Sequence, residues 1–182
     1  MDNSNKLSKL SISLHWIVAG VIIGLCALGV YMSRTEAWDL YPIHKSLGVL
    51  IFLVAGLRVI VRIKNGWPKA VADYSRLEQV MAKIVKWALI IGSILLPVSG
   101  MLHSGASGHG FDVFGLVIVP GQHVPGNPEE ALAYSEFWAK IGEFLHQTGG
   151  YILIAAIVLH VVGAFKHHFV DRDATLRRML GK

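Results

Sequence analysis

The chain alternates between long apolar runs and short polar links, and four of the runs are long enough to cross a membrane. They extend over approximately 12–32, 43–63, 84–103 and 141–165. A hydrocarbon core about 30 Å thick requires roughly 20 helical residues, and helices satisfy their own main-chain hydrogen bonds, as lipid demands. The runs lack the period-two alternation of a membrane β-barrel. The pattern predicts an all-α membrane protein, a four-transmembrane-helix bundle forming a single domain over residues 1–182.

The first run follows Lys6 and Lys9, which is also typical of a secretory signal peptide. The alternative to a membrane span is therefore a signal peptide cleaved near Ala27. The run is longer than a usual signal-peptide core and carries His15 and Trp16 near its start, which favours a membrane span.

The links between the runs differ in length and composition. The short first link predicts that the first two helices are antiparallel neighbours. The link from Ser104 to Trp138 is the longest, is rich in Gly and Pro, and contains no Lys or Arg. We expect it to hold short interfacial segments rather than a separate domain. The third run contains Pro97, where we expect a kink.

Lys and Arg are distributed unequally between the two sides of the predicted bundle, and this distribution predicts its direction. Thirteen of the 17 flank the start of the first run, the second link and the end of the last run: Lys6, Lys9, Arg62, Lys64, Lys69, Arg76, Lys83, Lys86, Lys166, Arg172, Arg177, Arg178 and Lys182. Arg34, Lys45 and Lys140 lie on the other side. Both termini are therefore predicted to be cytoplasmic.

Composition supports a membrane protein and argues against a nucleic-acid partner. The chain is 53% hydrophobic, its mean hydropathy is +0.52, and only 16% of its residues are charged, against about a quarter in a typical soluble domain. The net charge of +5 collects between the apolar runs. The single cysteine, Cys26, excludes an internal disulfide, a thiolate cluster and covalent haem attachment, and it is predicted to be a small buried hydrophobic residue.

Histidine inside a membrane span is costly and usually functional, and four of the nine histidines form two pairs by depth. His15 and His160 each lie six residues from a cytoplasmic-side lysine, or about 9 Å inside that boundary. His44 opens the second run on the outer side, and His146 lies six residues from Lys140 on that side. The sequence predicts one histidine pair near each side of the membrane.

Spacing along the last helix adds to this prediction. His146 and His160 are 14 residues apart, about 21 Å along the axis and about 40° from the same face. A haem in a helical bundle takes axial ligands from facing helices. We therefore predict two non-covalent b-type haems, the outer between His44 and His146 and the cytoplasmic between His15 and His160, which are suited to electron transfer.

Two basic residues are predicted to bind the haem carboxylates. Arg58 lies 14 residues after His44, on the same face at the depth of the cytoplasmic haem, and the only acidic residue within the four runs is Glu143 near an outer end. A buried guanidinium needs an anion, and a haem propionate fits it. Lys45 is predicted to do the same for the outer haem.

The remaining histidines have simpler interpretations. His103 has no partner at its depth, so we expect it to serve packing or hydrogen bonding; His109 and His123 are expected to be solvated loop residues. His167 and His168 are expected at the headgroup level, with a quinone contact as the alternative.

Several motifs resemble the bacterial cytochrome b561 family, and the resemblance covers nearly the whole chain. They are SISLHW around His15, HKSLGVL with LRVIVR around His44 and Arg58, LPVSG in the third run, and the end LHVVGAFKHHFVDRDATLRRM. The resemblance implies a dihaem, multi-pass cytochrome of the bacterial inner membrane that exchanges electrons with quinone. It implies the same four ligands, His15 with His160 and His44 with His146.

Three candidate functions are considered for a membrane protein with these histidine pairs. The first is a membrane oxidoreductase exchanging electrons between an outer-side donor and the quinone pool, with superoxide oxidation as one family activity. The second is a non-enzymatic carrier subunit for a separate dehydrogenase or periplasmic redox partner. The third, a metal transporter, is disfavoured because the runs lack the polar groups of an ion path. Superoxide is disfavoured by the outer-side charge of −4, from Arg34, Lys45 and Lys140 against Glu36, Asp39, Asp112, Glu129, Glu130, Glu136 and Glu143.

Overall fold

The computed structural model describes residues 7–67 and 71–181. In these ranges four helices are long and apolar enough to cross a membrane: α1 (Lys9–Thr35), α2 (Tyr41–Asn65), α3 (Arg76–Ala106) and α4 (Glu136–Phe165). The predicted four-span bundle is confirmed. Each helix is longer than its predicted span, because a helix continues past the hydrocarbon boundary into polar surroundings. Lys6, Lys69 and Lys182 lie outside the described residues, and the cytoplasmic location of the termini stays a prediction.

Polar caps define where the helices begin. The Ser8 hydroxyl accepts a hydrogen bond from the Ser11 amide at the start of α1. α3 begins with a capping box, in which the Ser75 hydroxyl accepts from the Glu78 amide and the Glu78 carboxylate accepts from the Ser75 amide. α3 then continues through Pro97 as one helix to Ala106.

The helices have two ends, which we name by their contents. At the loop end, α1 leads into α2 through a short 3-10 turn (Trp38–Leu40) and α3 leads into α4; the tail end contains the C-terminal segment. Val18 of α1 packs against Ile51 and Ala55 of α2 in the buried core. α3 and α4 approach each other more closely than α1 and α2 do. Gly142 of α4 lies directly against α3, so that an added Cβ would be within 3 Å of the His103 main chain. Such small residues let membrane helices pack tightly.

The link between α3 and α4 folds into two short β-hairpins, which the all-α prediction did not include. Strands β1 (Phe111–Val113) and β2 (Leu116–Val119) pair antiparallel, as do β3 (His123–Val124) and β4 (Asn127–Ala131). The link packs against itself through main-chain hydrogen bonds such as Gln122 to Gly108. It covers part of the loop end, where β1 packs against α2.

The C-terminal segment folds back against the tail end. α4 passes into a π-helical turn (Lys166–Val170), which is followed by the short helix α5 (Thr175–Met179). The Trp16 indole donates to the Met179 carbonyl over 2.8 Å, the Tyr74 hydroxyl donates to the Asp173 carboxylate, and Lys166 pairs with Glu78. These contacts hold the segment against α1 and the start of α3.

Candidate functional site

Two histidine pairs stand between the helices, one towards each end of the bundle. At the tail end, His15 of α1 faces His160 of α4, with ring centroids 6.3 Å apart and an interplanar angle of 64°. At the loop end, His44 of α2 faces His146 of α4, with ring centroids 6.1 Å apart and an angle of 85°. α4 therefore supplies one imidazole to each pair.

Both spacings suit one metal ion between the two rings. An imidazole nitrogen bonds a first-row metal at about 2.0–2.1 Å, and its ring centroid lies about 1 Å farther away, so two rings on opposite sides of one ion have centroids roughly 6 Å apart. A direct hydrogen bond between two imidazole nitrogens would bring the ring centroids closer, to about 5 Å. The pairs thus have the separation that axial ligation of haem iron requires.

At the loop end, the protonation of His146 is determined by its surroundings. Its Nδ1 lies 2.9 Å from the Leu96 carbonyl oxygen and 3.3 Å from the Ser99 hydroxyl. A carbonyl only accepts, so Nδ1 carries the proton and Nε2 keeps its lone pair. Metal-bound histidines commonly donate their second nitrogen to a carbonyl in this way. The partner ring of His44 has a buried Nδ1 with no hydrogen-bond partner among the described residues.

The ring of His146 also needs space on α3. A Cβ at Gly100 would lie 2.9 Å from Cε1 of His146 and 3.1 Å from its Nδ1. Only glycine lets the imidazole rest against α3 in the position that reaches the Leu96 carbonyl.

At the tail end, Arg58 lies beside the pair, as its spacing from His44 predicted. Its Nη2 is 3.2 Å from Nδ1 of His15. A guanidinium only donates, so Nδ1 accepts and Nε2 carries the proton in this arrangement. Metal ligation through Nε2 requires that proton to leave and Arg58 to turn towards another acceptor. His160 is exposed on the apolar surface of α4, where histidine is costly without a partner.

A cavity adjoins the loop-end pair and has the lining expected around a flat apolar ligand. Its walls include His44, His146, Ile22, Gly48 and Gly150. A Cβ built at either glycine would meet no atom within 4 Å. The residues present therefore fit a macrocycle held by the two histidines.

Lys45 contacts the main chain of the α3–α4 link, and its role towards a haem carboxylate stays a prediction. Its Nζ donates to the Gly110 carbonyl oxygen over 3.1 Å, so it binds the α3–α4 link. The next residue, Ser46, was not singled out from the sequence, yet its buried hydroxyl lies 3.2 Å from the Asp112 carbonyl and accepts from the Phe114 amide over 3.0 Å. The start of α2 thus carries His44 of the loop-end pair and also binds the β1–β2 hairpin.

The other histidines have contacts of their own. His103 donates from Nδ1 to the Ala139 carbonyl across the α3–α4 contact, 3.0 Å away, which is the hydrogen-bonding role predicted. His109 is exposed and lies 3.0 Å from the Ser107 hydroxyl.

A cluster at the tail end was missed by the sequence reasoning. His167 lies 2.8 Å from the Asp171 carboxylate and 3.5 Å from that of Asp173. These three side chains have the spacing of metal ligands, but the ammonium of Lys166 already binds both oxygens of Asp171. Tyr74 completes the cluster, stacking near His167 and bonding Asp173.

The chain is similar to known proteins over nearly its whole length. The family model described as "Prokaryotic cytochrome b561" matches residues 6–182. The chain is 32% identical to "Cytochrome b561 homolog 2" of Escherichia coli (strain K12), over 100% of this chain and 94% of that protein. It is 26% identical to "Probable superoxide oxidase CybB" of Yersinia pestis and 27% identical to "Cytochrome b561 homolog 1" of Escherichia coli (strain K12), each over 97% of both chains.

Proposed function

Because the chain belongs to the prokaryotic cytochrome b561 family of membrane b-type cytochromes, we propose that it holds two haems and transfers electrons across the inner membrane between an outer-side donor and the quinone pool. His15 and His160 hold the tail-end haem, and His44 and His146 hold the loop-end haem. The tail end faces the cytoplasm in this proposal, because most Lys and Arg residues lie there.

The observation that carries the proposal is the pair of ring spacings, 6.3 Å at the tail end and 6.1 Å at the loop end. Two unrelated helices, α1 and α2, each bring an imidazole to this separation from α4. Helix packing alone does not require the two histidine pairs to have the same distance between ring centroids. A ligand common to both pairs explains it.

The two histidine pairs have different neighbouring groups, which affect haem binding in different ways. At the loop end, the Leu96 carbonyl keeps the proton of His146 on Nδ1 and leaves Nε2 free to bond iron. At the tail end, Arg58 supplies a cation beside His15, which favours a bound propionate and the reduced form of the site. Haem iron with two histidine ligands has no open position for oxygen, so it supplies one-electron redox chemistry.

Quinone is the proposed electron partner, but its site is not assigned to particular residues. The resemblance of the motifs to the family supports this choice. The alternative is a carrier subunit that relays electrons for a separate dehydrogenase or periplasmic protein. A proteoliposome assay separates them: if the prereduced protein alone is rapidly oxidised by a ubiquinone analogue, quinone-linked activity belongs to this chain. Oxidation only after a partner protein is added identifies a carrier.

Superoxide is a second candidate for the donor, because the name of the Yersinia pestis relative refers to superoxide oxidation. The loop end carries a net charge of −4, which repels an anion. Partial burial and the nearby Lys45 ammonium lower the pKa of the His109 imidazole, so it contributes less positive charge than an ordinary histidine would. Lys45 remains the cation closest to His44 in sequence. Stopped-flow mixing of superoxide with the oxidised protein tests this candidate, with Lys45→Gln as the variant expected to react more slowly.

The proposal as a whole is tested by haem content and by reduced-minus-oxidised spectra of purified variants. His160→Ala is expected to remove the tail-end haem and His146→Ala the loop-end haem, each leaving about half of the haem, and the double variant to be colourless. His103→Ala is the matched control, because its imidazole binds the Ala139 carbonyl and belongs to neither histidine pair. Equal haem content in the double variant and the wild type would falsify the ligand assignment.

A further inference from the structure

The β1–β2 hairpin exposes apolar side chains to an unusual extent for a loop outside a membrane. Phe114, Leu116 and Val117 are 64%, 68% and 62% exposed. The only charged residue between Phe111 and Val119 is Asp112, and its carboxylate accepts a hydrogen bond from the Gly115 amide. Contiguous exposed apolar surface of this kind marks a contact with a partner or a membrane.

The depth of the hairpin tip points to the membrane. Phe114 and Asp112 are both hydrogen-bonded to Ser46 through their main chains. Ser46 lies three residues inside the predicted second span, or about 4.5 Å below the boundary. The root of the hairpin is higher, because Phe111 and Val119 pack near Gly105 in the last turn of α3. The hairpin therefore slopes from the loop-end surface down along α2.

Two aromatic residues independently indicate the level of the membrane boundary at the loop end. The rings of Trp38 and Tyr41 stack 5.3 Å apart at the loop end, and Trp and Tyr concentrate at membrane interfaces. Ser46 is five residues past Tyr41, about 7.5 Å deeper along α2. The tip of the hairpin thus lies below this aromatic level, beside the exposed apolar residues Ile43 and Leu50 of α2.

We propose that the β1–β2 hairpin inserts its apolar tip into the adjoining lipid leaflet, where it extends the lipid-contacting surface of α2. This inference requires the helices to cross a bilayer and does not depend on the haem assignment. Main-chain polar groups must be satisfied at such a depth. Ser46 binds the Phe114 amide and the Asp112 carbonyl, Asp112 binds the Gly115 amide, and Lys45 binds the Gly110 carbonyl.

The free edge of β2 limits how deep the hairpin lies. An open strand edge is not stable in the hydrocarbon core, so the edge stays among headgroups while the side chains reach the acyl chains, as in interfacial segments that enter by about 5–10 Å. The β3–β4 hairpin offers a contrast, since its Asn127 side chain donates to Glu130 and its exposed residues Asn127 and Glu130 are polar. That hairpin is expected to remain in water.

Site-specific fluorescence tests the proposal in proteoliposomes of the haem-loaded full chain. A single environment-sensitive fluorophore is attached at Val117→Cys or Leu116→Cys, and at Asn127→Cys as the matched control, each with Cys26→Ala. Haem spectra verify that each variant is folded. We expect a nitroxide on the upper acyl chain of the lipid to quench positions 116 and 117 several-fold more than position 127, and aqueous iodide to show the reverse order.

Two outcomes would overturn the proposal. Iodide quenching at 116 and 117 equal to that at 127 would place the hairpin in water. Shielding of 116 and 117 from both quenchers would mean that a protein surface covers them, and crosslinking between chains at these cysteines would identify a second copy as that surface.

Discussion

The Nδ1 nitrogen of His146 lies 2.9 Å from the main-chain oxygen of Leu96. This single contact orients one ring of the loop-end pair and determines which nitrogen remains free. The corresponding nitrogen of His15 faces the Arg58 guanidinium, 3.2 Å away. The main chain thus leaves Nε2 of His146 free at the loop end, whereas at the tail end Arg58 must turn away from His15 before Nε2 of His15 can bind iron. The two haem sites proposed for this cytochrome should respond differently to substitutions around them.

Gly100→Ala is expected to reduce occupancy of the loop-end site while the tail-end site stays loaded. The new methyl group would lie 2.9 Å from the His146 ring, and an imidazole cannot yield without breaking its hydrogen bond to Leu96. The haem-to-protein ratio should fall towards half of the wild-type value. Gly105→Ala in the same helix is the control, since its methyl group would lie 3.8 Å from Phe111 and Val119, an ordinary van der Waals distance. Equal loss of haem in both variants would show that helix packing is responsible.

Arg58→Gln is expected to lower the midpoint potential of the tail-end haem, because a nearby cation stabilises the reduced form. A unit charge acting over roughly 8 Å at an effective dielectric constant near 20 contributes about 2 kcal/mol, or about 90 mV for a one-electron couple. Arg58→Lys retains the charge and should stay close to the wild-type potential. Redox titration of the two haems in each variant measures the shift. Identical potentials in the Gln and Lys variants would contradict an electrostatic role for Arg58.

Ser46→Ala is expected to loosen the β1–β2 hairpin. The Ser46 side chain is 1% exposed, and its loss would leave the Phe114 amide and the Asp112 carbonyl without their partner. An unsatisfied buried polar group costs about 1–3 kcal/mol. Hydrogen exchange of residues 111–119 should accelerate accordingly in lipid nanodiscs. Ser93→Ala is the control, because that buried hydroxyl donates to the Ile90 carbonyl of its own helix. Similar acceleration of residues 111–119 in the Ser93 variant would argue against a specific contact.

The sequence was sufficient to predict the four membrane spans. Depth in the membrane, counted in residues, also paired the histidines that are neighbours in the structure. A membrane imposes a fixed thickness and a helix has a fixed rise, so residue counts convert directly into depth. His15 and His160 were matched in this way, as were His44 and His146, and their rings are neighbours in the structure. Their ligand role stays a prediction until haem content is measured.

The contacts of the α3–α4 link could not be predicted in the same way. Its pairing depends on turns at Gly115 and Gly126, both with positive φ, and on main-chain contacts between distant residues. Lys45 was assigned to a haem carboxylate from its position beside His44, but the folded link brings the Gly110 carbonyl to its ammonium group. Short polar contacts of this kind leave no periodic pattern along the chain.

The attachment of the C-terminal segment is expected to weaken in acid. Asp171 accepts hydrogen bonds from the Lys166 ammonium, which lowers the pKa of its carboxyl group below the ordinary 3.8. The folded-state pKa is thus below the unfolded one, so the stabilisation is complete above pH 3.8 and is lost as the pH falls through the folded value. Asp173, whose carboxylate accepts from Tyr74, also has a lowered pKa, although burial opposes that shift.

Comparison of the wild type with Asp171→Asn isolates the contribution of the Asp171 charge to the attachment of the C-terminal segment. At pH 7 residues 171–181 of the variant should exchange amide hydrogens faster than the wild type, because an amide side chain cannot accept the Lys166 charge as strongly. The difference should shrink as the pH is lowered below 3.8, where the wild-type carboxylate becomes protonated as well. Measuring both proteins at the same pH cancels the intrinsic exchange rate. A difference that is equally large at pH 3 and pH 7 would mean that Asp171 acts through packing rather than charge, and that the tail end is held by its other contacts.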